Sequence, residues 1–359
     1  MLIYFFNIFL ALILSLSLGL QLGVVNPKTE ILVKPQRIVN KGIYLTAYTA
    51  GSAERRQTLI DLIKSTELNT VVIDIKDYSG KIFYNTDVPL AKSIGSVEVR
   101  IKDIKKVVAD LKQQGIYSIA RIVVFQDPYL AERLPDIALK NKSGGIWRDK
   151  KGLSWVDPTQ RLVWDYNLDL ATEAAQLGFD EINFDYIRFP SDGDIDQIAY
   201  ANLSDVTAEG KVAVIADFYN YLNQRLEFVP VLTSADLFGM VLWRSDGLNI
   251  GQRLEDAMAN FDYICPMVYP SHYPVNFEGF ANPADHPYEI VYRSLIKAKD
   301  KLIGQRAVLR PWLQDFNLGA IYTSDMIKLQ KQASYDAGSS GWLLWNAGNN
   351  YSTGGLEIK

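Results

Sequence analysis

Cysteine and histidine are scarce in this chain, and their scarcity argues against several kinds of site. Cys265 is the single cysteine among 359 residues, so an internal disulfide is excluded. The two histidines, His272 and His286, fall in one predicted loop and lack the spacing of metal ligands. The stretch DGDID at 192–196 resembles the start of a calcium-binding loop, but Leu203 stands where the bidentate glutamate is needed. The sequence therefore predicts neither a metal ion nor a bound cofactor.

Two further signatures of common enzyme classes are missing. No Gly-rich phosphate-binding loop follows the first predicted strand, and the nucleophile elbow of serine hydrolases does not occur. The net charge is −4 and the isoelectric point about 5.4, so the composition gives no electrostatic support for a nucleic-acid partner. Hydrophobic residues make up 48% of the chain and aromatic residues 12%, which suits a large core and is compatible with sugar binding.

The N-terminal residues 1–25 form an apolar run, and the first charged side chain is Lys28. A run of this length is sufficient to span a bilayer as a helix. It lacks a basic start and a clear cleavage site, which favours an N-terminal membrane anchor over a cleaved signal peptide. We expect an extracytoplasmic protein, anchored by this helix or secreted after its cleavage. Residues 26–40 are then a linker and residues 41–359 the folded domain.

From residue 41 the chain alternates short apolar segments with amphipathic ones. Eight segments are typical of strands buried on both faces, at 42–48, 70–77, 117–125, 181–189, 229–239, 262–270, 306–314 and 341–348. Amphipathic helices are predicted at 52–68, 99–115, 161–178 and 325–338. Eight strands alternating with helices favour an α/β fold of the (β/α)8 TIM-barrel type. A doubly wound open sheet is the competing arrangement.

Long predicted loops and polar side chains gather at the C-terminal ends of these strands. The loops cover 78–100, 127–157, 190–210 and 270–287, on the face where barrel enzymes build their sites. Alternation along the strands directs polar or aromatic side chains to the same face. The candidate substrate-binding residues are Tyr44, Asp74, Lys76, Asp77, Arg121, Asp127, Asn183, Arg188, Tyr269, Trp312, Gln314, Trp345 and Asn346, with Arg310 in the same phase.

Some of these residues also have structural interpretations. Asp74 and Arg121 are suited to a buried ion pair that closes the barrel floor. Trp312 and Trp345 are suited to the core as well as to stacking on sugar rings.

Two aspartates on neighbouring predicted strands, Asp185 and Asp236, form the candidate catalytic pair. Alternation places Asn183 and Asp185 on one face of their strand and Tyr186 on the other. A carboxylate on a buried face costs several kcal/mol unless it is paired or functional. Glycosidic bond cleavage uses one carboxyl group to protonate the leaving oxygen and a second to attack or to activate water. The alternatives are a satisfied structural Asp185 and an Asp236 that caps the following loop.

Eight motifs in order resemble the putative glycosyl hydrolase domain family, catalogued as domain of unknown function 4015. They are GIYLTAY, IDIKDYSG, ARIVVFQDP, NFDYIRFP, TSADLFG, PMVYPSHY, RPWLQDF and GWLLWNA, spread over residues 41–350. The resemblance implies a (β/α)8 barrel distantly similar to the α-amylase superfamily and an exported protein without a settled substrate. Together with the aspartate pair and the apolar N-terminus, it leads us to expect hydrolysis of a cell-envelope or extracytoplasmic polysaccharide. Carried over by position from α-amylases, Asp185 is the nucleophile and Asp236 the proton donor. Two positions depart from that pattern: Asn183 replaces an arginine, and Asp236 replaces a glutamate.

Two other hypotheses stay open at this point. The fourth strand also resembles the chitinase-type signature, but Ile187 stands where that signature has its catalytic glutamate. A chain of that lineage would be a catalytically inert carbohydrate-binding barrel at the cell surface. A phosphosugar isomerase or lyase on the same fold is the third hypothesis, and the apolar N-terminus argues against it because phosphosugars are cytosolic.

Overall fold

A computed structural model of the protein describes residues 34–359, and eight parallel strands in it form a closed ring. The strands are β1 (Asn40–Leu45), β2 (Thr70–Lys76), β3 (Tyr117–Val123), β4 (Glu181–Asp185), β5 (Leu232–Phe238), β6 (Tyr263–Met267), β7 in two segments (Val308–Leu309 and Trp312–Gln314) and β8 (Gly341–Trp345). Each strand pairs with the next one, and β8 pairs with β1. The predicted TIM barrel is confirmed, and the open sheet is wrong.

Seven helices connect successive strands: α1 (Ala53–Ser65), α2 (Ile104–Gln113), α3 (Arg161–Gln176), α4 (Ala208–Leu226), α5 (Leu254–Asn260), α6 (Pro287–Lys299) and α7 (Ser324–Asp336). Shorter helices at Ala47–Gly51, Pro89–Ile94 and Pro128–Arg133 lie in the loops after β1, β2 and β3. The buried residues of α2 recur at the spacing of one helix face, Ile104, Val107, Val108 and Leu111. The four predicted helices are therefore present, whereas α4, α5 and α6 had not been predicted.

The interior of the ring is layered. An apolar layer inside the strands includes Val72 and Ile119. At the N-terminal end of the ring, Arg310 Nη1 lies 2.9 Å from Glu181 Oε2, and both side chains are fully buried. Tyr117 donates a hydrogen bond of 3.1 Å to the same Glu181 oxygen. Arg310 therefore lies at the barrel floor and not at the C-terminal face, and the polar residues of the mouth lie above the apolar layer.

The loops at the C-terminal face are long, as predicted, and two of them are joined. Lys140–Asn141 in the loop after β3 pairs in antiparallel fashion with Ile198–Ala199 in the loop after β4. Trp147 in the first loop donates a hydrogen bond of 2.8 Å to the Asp194 carbonyl in the second. This contact fixes the two loops beside the ends of β3 and β4.

The predicted anchor at 1–25 and most of the linker lie outside the described residues. Within residues 34–359, none of the helices combines the length and the apolar character needed to cross a bilayer. Residues 34–39 have no regular secondary structure, and β1 begins at Asn40. The anchor and the extracytoplasmic location stay predictions.

Candidate active site

A cavity of about 360 Å³ opens at the C-terminal end of the barrel. Its volume is within the range of small-molecule sites. Seven of the sequence-predicted residues line it: Asp185, Asp236, Arg121, Arg188, Tyr269, Trp312 and Trp345. Side-chain alternation in five different strands therefore directs residues of this set, including both candidate catalytic aspartates, into one cavity.

Arg121 on β3 holds three aspartates together. Its Nη1 lies 2.5 Å from Asp74 Oδ1, its Nη2 donates to Asp185 Oδ2, and its Nε lies 3.8 Å from Asp236 Oδ2. Nε has no hydrogen-bond acceptor among the residues described. Burial opposes the positive charge, but the aspartates raise the pKa of Arg121 well above its usual value, so the side chain stays a cation. The proposed Asp74–Arg121 ion pair is present, but it lies beside the cavity at the C-terminal end of the barrel and not at the barrel floor, and only Arg121 of the two lines the cavity.

Asp74 and Tyr44 stand behind this wall. The Tyr44 hydroxyl donates a hydrogen bond to Asp74 Oδ2. Burial raises the pKa of Asp74 to about 6, although the charge of Arg121 and the Tyr44 hydrogen bond oppose the shift. These two residues fix Arg121 and do not reach the cavity themselves.

Asp185 is the last residue of β4 and acts as an acceptor through both oxygens. It is 5% exposed. Oδ2 accepts the hydrogen bond from Arg121, and Oδ1 accepts the backbone N–H of Tyr186 at 2.6 Å. A carboxylate in this setting has its charge balanced by a cation and is open to the cavity on one side. It is therefore suited to attack an electrophilic carbon or to take a proton from water.

Asp236 on β5 has a different environment. It is 1% exposed, and its Oδ1 accepts hydrogen bonds of 2.8 Å from Asn183 Nδ2 and from Trp312 Nε1. Burial and the charge of Asp185 raise the pKa of Asp236 to about 8, which favours the protonated side chain at neutral pH. Because Oδ1 already accepts two N–H groups, Oδ2 is the oxygen suited to carrying the proton. The interpretation of Asp236 as a loop cap is wrong, because its carboxyl group accepts hydrogen bonds from Asn183 and Trp312 and from no described residue of the loop that follows β5.

Asn183, which replaces the arginine of the α-amylase pattern, positions Asp236. Its Nδ2 lies 2.9 Å from Ser234 Oγ and 2.8 Å from Asp236 Oδ1. Asn183 is fully buried beneath the cavity and does not line it. Its predicted role in substrate binding is therefore replaced by a positioning role.

Aromatic side chains form one wall of the cavity. The Trp345 ring stacks on Tyr44 at a centroid distance of 4.0 Å, and Trp312 meets Trp345 edge-on at 5.5 Å. The Arg121 guanidinium lies 5.1 Å from the Trp345 ring. Both tryptophans pack in the barrel interior and also face the cavity, so their positions are compatible with both interpretations made from the sequence, core packing and stacking on sugar rings. Tyr269 extends the same wall.

Lys76 and Asp127 lie outside the cavity, contrary to the prediction. Lys76 Nζ is 2.8 Å from Asp127 Oδ2, and both side chains are fully buried. The pairing of β2 with β3 shifts register between Asp74 and Lys76, which turns Lys76 toward α3, where its Nζ lies 3.4 Å from Asn167 Oδ1. A bulge of this kind breaks the alternation of side chains. Asp127 also caps the helix Pro128–Arg133 by accepting the backbone N–H of Leu130 at 2.8 Å.

Three other predicted residues hold loops in place outside the cavity. Gln314 Oε1 accepts a hydrogen bond of 2.8 Å from Ser271 Oγ. Asn346 Nδ2 donates to the Asn350 carbonyl at 2.6 Å. Asp77 Oδ1 accepts the backbone N–H two residues later, at 2.9 Å, in the turn after β2. These contacts hold loops and turns in place, so the three residues are not part of the proposed site.

The cavity is also lined by residues outside the predicted set of site residues: Tyr186, Phe238, Gly239, Met240, Met267, His272 and Tyr273. Tyr186 has φ 51°, a left-handed conformation that is uncommon outside glycine and often found at functional sites. This turn brings Tyr186 to the same side as Asp185, where alternation had placed it on the opposite face. His272 could have been found from the sequence by its position in a long loop shortly after the end of β6.

His272 is not part of a metal site within the described residues. Its Nδ1 lies 3.0 Å from Ser271 Oγ, and burial lowers the pKa of His272, so its ring is neutral at pH 7. No cluster of three His, Cys, Asp or Glu side chains suited to a metal ion occurs in residues 34–359. The neutral ring is suited to hydrogen bonding with a polar ligand.

A TIM barrel with two carboxyl groups on adjacent strands at its mouth, beside aromatic walls, has the architecture of a glycoside hydrolase. The chain belongs to the family described as the putative glycosyl hydrolase domain, whose model matches residues 42–351. A search of curated proteins gave no match.

Several solved structures are similar to the chain. A hypothetical protein from Ruminiclostridium thermocellum is 37% identical, with a TM-score of 0.50, over 54% of this chain and 96% of its own length. The glycoside hydrolase domain of PgaB from Bordetella bronchiseptica is 13% identical, with a TM-score of 0.63, over 86% of this chain and 94% of its own. An α-galactosidase from Thermus thermophilus is 13% identical, with a TM-score of 0.55, over 88% of this chain and 59% of its own. The last two similarities establish the fold alone.

Proposed function

We propose that the protein hydrolyses glycosidic bonds in a cell-envelope or other extracytoplasmic polysaccharide, with Asp236 as the proton donor and Asp185 as the nucleophile or general base. The observation that carries this proposal is the contrast between the two aspartates. Asp236 holds a proton at neutral pH, whereas Asp185 accepts hydrogen bonds through both oxygens from Arg121 and a backbone amide. Glycosidic cleavage requires one carboxyl group of each kind.

The reaction begins with proton transfer from Asp236 Oδ2 to the glycosidic oxygen as its bond to the anomeric carbon breaks. Asp185 then either attacks the anomeric carbon or removes a proton from the water that attacks it. In the first route, a second step with water releases the sugar from Asp185, and Asp236 takes the proton of that water. In the second route, Asp185 releases the proton of the water to solvent and Asp236 takes up a proton from solvent, so that in both routes one water molecule is divided between the two products. Trp345 and Tyr269 are suited to stacking against the sugar rings.

Arg121 supports this reaction from below. Its Nε faces Asp236 Oδ2 at 3.8 Å and has no other acceptor among the residues described. When Asp236 loses its proton, the new negative charge on Oδ2 lies beside a fixed N–H donor. A preorganised donor of this kind stabilises charge that develops in the transition state more than charge in the ground state. Asp74 and Tyr44 hold the guanidinium in place for this role.

The test is hydrolysis of a panel of purified bacterial envelope polysaccharides, measured by the release of reducing ends. Asp185→Asn and Asp236→Asn should each lower turnover by at least about 100-fold. Asp217→Asn, a change at an exposed position on α4, is the matched control and should retain full activity.

Two outcomes of this test are informative beyond the rate. The anomeric configuration of the first product, read by NMR, decides between the nucleophile and the base for Asp185. Binding of a glycan that survives Asp185→Asn, with no turnover of any glycan by the wild type, would replace the proposal with the inert carbohydrate-binding barrel.

A further inference from the structure

Arg188 is a cation in the cavity wall that has no acidic partner within ion-pair distance among residues 34–359. It is 7% exposed, and its Nη1 donates to the Phe189 carbonyl at 3.0 Å and to Ser191 Oγ at 3.2 Å. Its Nε and Nη2 donate to no acceptor among residues 34–359, and no carboxylate in that range forms an ion pair with it. The other buried arginines differ, because Arg121 contacts aspartates and Arg310 contacts Glu181.

Three aromatic rings surround the Arg188 guanidinium. The centroid distances are 4.6 Å to Phe238, 4.9 Å to Tyr186 and 5.0 Å to Trp155. The ring faces attract the cation, but they offer no hydrogen-bond acceptor for its remaining N–H groups. Burial lowers the pKa of Arg188, since the charge is held away from water. The structure therefore keeps a desolvated positive charge beside the cavity at a cost in stability.

The carboxylates of the cavity pair with Arg121 and not with Arg188. Asp74 and Asp185 both contact the Arg121 guanidinium, while burial and the charge of Asp185 raise the pKa of Asp236. Among residues 34–359, no carboxylate lies within ion-pair distance of Arg188 at the wall that it shares with Tyr186 and Phe238. A negatively charged group on the ligand would supply the missing acceptors.

We infer that the sugar bound in this cavity carries an oxyanion, a carboxylate or a phosphate, which Arg188 binds through Nε and Nη2. The planar guanidinium presents these two donors in a fork that matches an oxyanion. The inference rests on the proposed function for its choice of a sugar as the ligand. It narrows the substrate class to acidic polysaccharides, such as those containing uronic acids or sugar phosphates.

Arg161 provides a matched control on α3. Its guanidinium also lies over two rings, at 4.3 Å from Trp164 and 4.5 Å from Tyr221. Arg161 is exposed to solvent and is not part of the cavity wall. Arg161→Met therefore removes an arginine stacked on aromatic rings without changing the cavity.

The experiment measures binding by titration calorimetry in the full chain carrying Asp236→Asn, so that turnover does not consume the probes. The probes are uronic-acid oligosaccharides with their carboxyl-reduced forms, and phosphorylated glycans with their dephosphorylated forms. We expect an acidic probe to bind about 10- to 100-fold more tightly than its neutral form. Adding Arg188→Met should remove this preference, Arg188→Lys should restore part of it, and Arg161→Met should leave it unchanged.

Several results would overturn the inference: equal affinity for acidic and neutral forms, no binding of any acidic probe, or a preference that Arg188→Met retains. Thermal unfolding provides a fold check, and Arg188→Met should unfold at the same temperature as the parent or higher, because it removes an unpaired buried charge. Hydrolysis of a neutral glycan without any acidic preference would refute this inference and leave the proposed function standing. A preference for acidic probes without hydrolysis of any glycan would refute the proposed function and leave this inference standing.

Discussion

The protonation of Asp236 can be tested without knowing the substrate, through the stability of the protein. In the folded chain the pKa of Asp236 is raised from 3.8 to about 8, so folding at neutral pH requires the uptake of one proton. A carboxyl group with a raised pKa stabilises the folded state most at low pH, and this stability is lost as the pH increases toward the folded pKa. Asparagine resembles the protonated acid in shape and does not titrate. Asp236→Asn should therefore remove the part of the loss of stability with increasing pH that is due to Asp236.

The size of the effect follows from the two pKa values. Between pH 5 and pH 7 Asp236 is ionised in the unfolded chain and protonated in the folded one. Each pH unit in this window then changes the free energy of unfolding by about 1.4 kcal/mol. The difference between Asp236→Asn and the wild type should grow by about 3 kcal/mol from pH 5 to pH 7 in favour of the variant. The hydrogen bonds from Asn183 and Trp312 reach Oδ1, which the asparagine side chain keeps as its carbonyl oxygen.

The assay is urea unfolding of the full chain at several pH values, followed by tryptophan fluorescence. Asp217→Asn, at its exposed position on α4, is the control and should run parallel to the wild type at every pH. If the curves for Asp236→Asn and the wild type are also parallel between pH 5 and pH 7, Asp236 is ionised in the folded protein. The assignment of Asp236 as the proton donor would then be wrong.

Three further predictions concern the rate and the packing of the site. The value of kcat/KM on any hydrolysed glycan should fall above about pH 8 as Asp236 loses its proton, and a pH–rate profile that stays flat to pH 10 would contradict this. Trp345→Ala removes the ring that stacks on Tyr44 and should raise KM by about 2- to 10-fold with little change in kcat, as read from initial rates. Lys76→Met should lower the free energy of unfolding by about 3–5 kcal/mol, because it leaves Asp127 buried without its cation, and KM should not change. A change in KM at unchanged stability would show that Lys76 belongs to the substrate-binding site after all.

The fold was predictable because its signals are local. Each barrel strand is a short apolar run, and eight such runs between amphipathic segments can close a ring in few ways. Alternation along single strands was also sufficient to place Asp185 and Asp236 on the inner face, because neither strand is interrupted before those positions.

Prediction failed where side-chain direction depended on pairing with another strand or on the end of a strand. Lys76 follows a shift of register between β2 and β3, which arises from the pairing of two segments and not from the sequence of β2 itself. Tyr186 turns into the cavity because its backbone adopts φ 51° directly after β4, where strand alternation no longer applies. Arg310 was assigned to the correct face of β7 but to the wrong end of the barrel, because it lies at the N-terminal floor beside Glu181 and not at the C-terminal face.

The barrel, the family and the inward direction of Asp185 and Asp236 could be predicted from the residue pattern alone, because periodicity and motif order are properties of neighbouring residues. The raised pKa of Asp236 could be found only from the fold, since it depends on burial and on the nearby charge of Asp185. The fold also places carboxylates against Arg121 and aromatic rings against Arg188, although both arginines lie near the C-terminal part of a strand. Electrostatic energies depend on distances across the ring, and those distances exist only after residues far apart in the chain have been brought together.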